Sequence, residues 1–73
     1  MTVEEFLAAF AAEIGVPAPS GEESSTALLE VASIAAHASQ RTAAPLACWM
    51  GGASRMPIDE LLAAAQRVVA DGS

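Results

Sequence analysis

The chain has no lysine, one cysteine, one histidine, one tryptophan and two phenylalanines among its 73 residues. Each shortage removes a class of explanation. A lone Cys48 cannot close an intramolecular disulfide, and with His37 as the one histidine no Cys/His spacing forms a zinc site. Three arginines against nine carboxylates leave a net charge of −6. That balance offers no basic patch for nucleic acid and no attraction to an anionic membrane surface. No apolar run reaches the roughly 18 residues of a transmembrane helix. The opening "MTVEEFLAAF" carries acids where a signal peptide carries positive charge. A free thiol suits a reducing compartment, so the expected location is the cytoplasm.

What the chain has in quantity is alanine, the largest single contributor to a 53% hydrophobic composition. Alanine favours helix and lets helices approach closely, but each residue buries little area. A chain this short hides only about 60% of its unfolded surface, and a single core of this size supplies ~3–5 kcal/mol net. The fold class expected is therefore all-α: one domain over residues 1–73, a compact bundle of four short helices with a thin core. Such a domain gains stability from a protein partner or from a homo-oligomer.

The helices are expected at about 3–14, 25–40, 43–50 and 57–70. In the first, Thr2 and Glu5 stand three apart as a capping box, in which each side chain satisfies the other's backbone N–H. Val3, Phe6, Leu7, Phe10 and Ile14 keep helical spacing on one face. Gly15 suits the left-handed C′ position, and Val16 is expected to pack onto the helix end. "VPAPSGEES" is a linker. The second helix, starting near Ser24 or Ser25, is almost wholly apolar from Thr26 to Ala36, with a stripe of Leu28, Val31, Ala32 and Ala35 widened by Leu29, Ile34 and Ala36. That pattern marks a central helix buried on several sides. Thr42 is the expected N-cap of the third, Pro45 falls in its first turn, and Gly51-Gly52 ends it. The fourth places Asp59 and Glu60 in its first turn, buries Ile58, Leu61, Leu62, Ala65, Val68 and Val69, and stops at Gly72.

The chemistry-bearing residues crowd into "AAHASQRTAAPLACWMGG". His37 and Arg41 are four apart, which puts both on one side of the second helix if it runs that far. They then bond the free carbonyls at its C-terminal end, or form a small cationic pocket for a carboxylate or phosphate, helped by the N-terminus of the third helix. Cys48 reads as a small buried hydrophobe rather than a nucleophile. Activation by His37 would need the fold to bring them together, and no third group is evident to orient the base. Trp49, with Met50, is either a main core residue or an interface anchor. Ser20, Ser24 and Ser25 invite comparison with acyl carrier proteins, which attach phosphopantetheine to the Ser of an Asp-Ser-Leu turn. The stretch here is "GEESSTALLE", with no Asp before a Ser and no Leu after one, so helix capping is the better role for these serines. No metal-ligand spacing, Gly-rich phosphate loop or catalytic carboxylate pair stands out. No cofactor is expected.

Over "LLEVASIAAHASQRTAAPLACWMGG" the chain resembles a small family of uncharacterised actinobacterial helical domains. The resemblance rests on Ala36-His37, on Arg41 and on Ala43-Ala44-Pro45-Leu46. Members often carry Pro directly after the Arg, where this chain has Thr42. The opening "EEFLAAFAAEIGV" is also similar to the family's first helix. Members are encoded beside, or fused to, enzymes of molybdopterin-guanine dinucleotide synthesis and formate dehydrogenase maturation. The resemblance implies an accessory or binding role in molybdenum-cofactor metabolism, without catalysis, and makes His37, Arg41 and Trp49 the contacts. The expected function is thus a non-catalytic accessory or protein-interaction module. A small anionic-ligand binder using His37 and Arg41 is the alternative, and a carrier protein the third choice.

Overall fold

The computed structural model describes residues 1–18 and 22–72. They form α1 (Val3–Ile14), α2 (Glu22–Ala38), α3 (Ala43–Ser54) and α4 (Ile58–Gly72), an all-α bundle longer than it is wide, 39 × 23 × 20 Å.

α1 begins as its sequence dictates. Thr2 Oγ1 accepts from the Glu5 backbone N–H at 3.0 Å, and Glu5 Oε1 accepts from the Thr2 N–H at 2.7 Å. The capping box is complete. At the other end Gly15 takes a left-handed φ of 75°. The N–H groups of Gly15 and Val16 both return to the Ala11 carbonyl, at 2.9 and 3.2 Å. That closes the last turn and turns Val16 back toward Phe10 and Ile14, beside which it lines a shallow apolar hollow.

α2 is the central helix. It packs against both α3 and α4, and α1 packs on no helix to a comparable extent. Val31 sits in the middle of α2 at 2% exposure and is the one buried apolar side chain among the described residues. The rest of the expected stripe is half-buried at Leu28, Ala32, Ile34, Ala35 and Ala36, while Leu29 is exposed. α2 starts at Glu22, so Ser24 and Ser25 stand inside its first turns rather than at the cap. Ser20 lies outside the described residues.

Two boundaries depart from the sequence reading. α2 stops at Ala38, not at 40: its last α-type bond runs from the Ser39 N–H to the Ala35 carbonyl at 3.2 Å, with the Ser39 hydroxyl donating to the same carbonyl at 3.3 Å. Two tight turns follow, Ala43 N–H to Gln40 O at 2.9 Å and Ala44 N–H to Arg41 O at 3.2 Å. Thr42 stands at the N-cap of α3 without making the side-chain bond expected of it. α3 then runs through Gly51-Gly52 instead of ending there. The reason is packing. A Cβ at Gly51 would overlap Leu61 Cδ2 and stand 3.3 Å from Cδ1, whereas one at Gly52 would meet nothing within 4 Å. Gly51 leaves room for the Leu61 side chain of α4 to lie against α3, though α3 and α4 each pack mainly on α2. The helix ends instead at Arg55, which takes the left-handed φ of 60° that glycine usually takes. Ser54 Oγ donates to Gly51 O at 2.6 Å and accepts from the Met56 N–H at 3.2 Å, which satisfies carbonyl and amide groups freed at that end.

On α4, Ile58, Leu61, Leu62 and Ala65 are half-buried as expected. Val68 and Val69 are not: both stand near the helix end and are exposed.

Candidate functional site

His37 lies in the last turn of α2, and its ring is tied to its own helix. Nδ1 is 2.7 Å from the Ser33 carbonyl and 3.1 Å from Ser33 Oγ. A carbonyl can only accept, so Nδ1 carries the proton and, in the neutral ring, Nε2 keeps the free lone pair. The groove beside it is lined by Glu30, Ile34, Ala38 and Val69. A carboxylate in that lining opposes an anion.

Arg41 does not share a helix with His37. α2 has ended three residues earlier, and Arg41 sits exposed in the turn that enters α3. Among the described residues no hydrogen bond or ion pair joins its guanidinium to anything. The expected pairing of His37 with Arg41 on one helix face is therefore corrected: it needed a helix reaching residue 41, and α2 gives way to tight turns after Ala38.

Trp49 is 74% exposed. It does not belong to the core of this chain, which disposes of one of its two sequence readings. Leu46 and Met50 stand three before it and one after it on α3, and both are also exposed. Residues 46, 49 and 50 share one side of a helix, so α3 shows solvent a stripe of three large apolar groups. Cys48 is half-buried on the opposite flank. Among the described residues no hydrogen bond links its thiol to His37, and no three His, Cys, Asp or Glu side chains come together as a metal site. Among the described residues no helix is long and apolar enough to cross a membrane.

A second surface escaped the sequence reading. The apolar face of α1, Val3, Phe6, Leu7, Phe10 and Ile14, is exposed along its length. Phe6 and Phe10 stack on each other with ring centroids 5.6 Å apart. Between α1 and the first half of α2 runs an open groove of about 520 Å³ whose walls include Val3, Leu7 and Ala8 on one side and Leu28 and Leu29 on the other. Periodicity located the apolar face of α1, but it carries no information on whether a neighbour covers it.

The family model described as Domain of unknown function (DUF6457) matches residues 1–72. No curated protein matches the chain, and no solved structure does.

Proposed function

The chain belongs to the family described as a domain of unknown function (DUF6457), and we propose that it is a non-catalytic accessory module that works by protein–protein contact. The observation that carries this reading is the amount of apolar surface left open. The chain exposes 5743 Å², where a folded monomer of its mass exposes about 4,200 Å². Among the described residues fourteen large apolar side chains are exposed, and Trp49 with Leu46 and Met50 has the composition of an interface anchor. The sequence resemblance makes a molybdenum-cofactor enzyme, of guanine dinucleotide attachment or formate dehydrogenase maturation, the first partner to seek. His37 and Arg41 flank the same segment as polar contacts.

The test is an affinity pull-down of the tagged full chain from its native host, followed by mass spectrometry and light scattering. A stoichiometric partner that Trp49→Ala weakens, with far-UV helix content unchanged, is the expected result. Trp49 is the sole tryptophan, so its emission should shift to the blue in the complex. Recovery of a bare monomer would overturn the reading.

A further inference from the structure

We propose that the groove between α1 and the first half of α2 seats a cationic amphipathic helix of a protein partner. This rests on the interaction-module reading in one respect, that the open apolar surface exists to be covered. It concerns a different face from the Trp49 stripe.

Two observations say that something covers this groove. The first is α1 itself. A helix of 12 residues is marginal in water without an apolar partner, and α1 finds little packing among the other three. Its face remains open from Leu7, at 38% exposure, to Val3, at 71%; across the groove Leu29 is also 71% exposed. The second is area. The chain's excess of about 1,500 Å² over a normal monomer of its mass exceeds the ~800 Å² that each partner hides in a standard interface. One helix laid along α1 and α2 would account for a large part of it.

Charge selects the occupant. Residues 1–40 carry six carboxylates and no arginine, while residues 41–73 carry three of each. The whole net charge thus lies in the half that builds the groove. Glu4 is part of the groove wall, while Glu23 and Glu30 line a separate hollow on another side of α2. A second copy docking through the same face would press two such acidic halves together. A helix with leucine-like residues on one side and Lys or Arg along its flanks meets apolar with apolar, and its long basic side chains meet the Glu4 carboxylate in the wall and the negative field of residues 1–40. α1 offers about three turns of length, which suits one short helix.

The probe is the helix-forming peptide LKKLLKLLKKLLKL, titrated into the full chain and followed by anisotropy and by ¹⁵N-edited NMR. The same peptide with Glu for Lys is the control. Leu29→Ser leaves the charge unchanged and, at so exposed a position, leaves the fold intact. Leu7→Ser is the second variant, checked by circular dichroism. The expected result is binding of the Lys peptide only, with shift changes on α1 and residues 25–29. Leu29→Ser should weaken it at least about tenfold, the loss of one leucine's apolar contact, and Trp49→Ala should leave it unchanged. Absence of binding would overturn the proposal. So would binding indifferent to both serine variants, which is charge attraction alone, or shift changes centred on α3. A dimer by light scattering that Leu29→Ser dissolves would make a second copy the occupant instead. A pull-down that retrieves no partner would sink the accessory reading and leave this binding measurement standing, so the two failures are separable.

Discussion

At residue scale the two adjacent glycines of α3 carry the sharpest consequence. Both look alike in the sequence, and both sit in helix interiors, where glycine costs about 1 kcal/mol against alanine. Gly52→Ala meets open space and should stabilise the chain by about 0.5–1 kcal/mol. Gly51→Ala gains the same helix preference but drives a methyl into Leu61, with Cδ1 at 3.3 Å and Cγ at 3.4 Å crowding it as well. The tip of Leu61 must shift to make room, so Gly51→Ala should be less stable than Gly52→Ala by about 1 kcal/mol. Urea titrations of the two variants check this. Equal gains at both positions would mean that α3 and α4 do not approach closely at Gly51. The pair also shows what a residue's type leaves open: "GG" reads as a stop in sequence, and here it is a packing notch followed by one more turn of helix.

At the scale of the element, α1 is the helix most fully legible in sequence and the least held by its neighbours. Its box lowers the Glu5 pKa, first through the Thr2 backbone N–H and then through the Thr2 hydroxyl, both of which favour the charged carboxylate. A carboxylate whose folded pKa is depressed contributes stability above its unfolded pKa and loses it as pH falls through the folded one. α1 should therefore fray from its N-terminus as pH drops below the ordinary glutamate range near 4.3. Backbone ¹³Cα shifts of residues 3–7 report this directly. Glu5→Gln keeps a hydrogen-bonding box and removes that carboxylate's share of the pH dependence. Identical acid fraying in the Gln variant would show that the box plays no part. α2 is the reverse case: its ends are poorly marked in sequence, but its apolar girth announced a central helix, and α3 and α4 both pack on it.

For the molecule as a whole, the thin core is the controlling quantity. Val31, at 2% exposure, is the point where the packed helices exclude water. Val31→Ala removes two methyl groups from that point and should cost about 2 kcal/mol, around half of the ~3–5 kcal/mol that a core of this size supplies. Thermal and urea unfolding measure it, and a cost under about 0.5 kcal/mol would place the stabilising core elsewhere. A ligand that binds the folded state alone would raise the melting temperature in proportion to its free concentration over its Kd. The mutant's deficit should then be recoverable with a partner present.

The sequence by itself determined the helical class, the number of helices, the start and stop of α1, the central place of α2 and the acidic balance. These follow from local rules: 3.6-residue periodicity, side-chain capping, the left-handed tolerance of Gly15 and the counting of charge. Only the tertiary structure decided which apolar faces meet a neighbour. Periodicity marks a face as apolar whether a helix covers it or water does, so Val68 and Val69 read as buried and stand exposed, and the apolar face of α1 is open as well. The same ignorance left Trp49 divided between core and surface, and Gly51 mistaken for a terminator. The partnership of His37 with Arg41 on one helix failed for a smaller reason: after Ala38 the backbone passes into tight i→i−3 turns, and α2 ends before it could carry both.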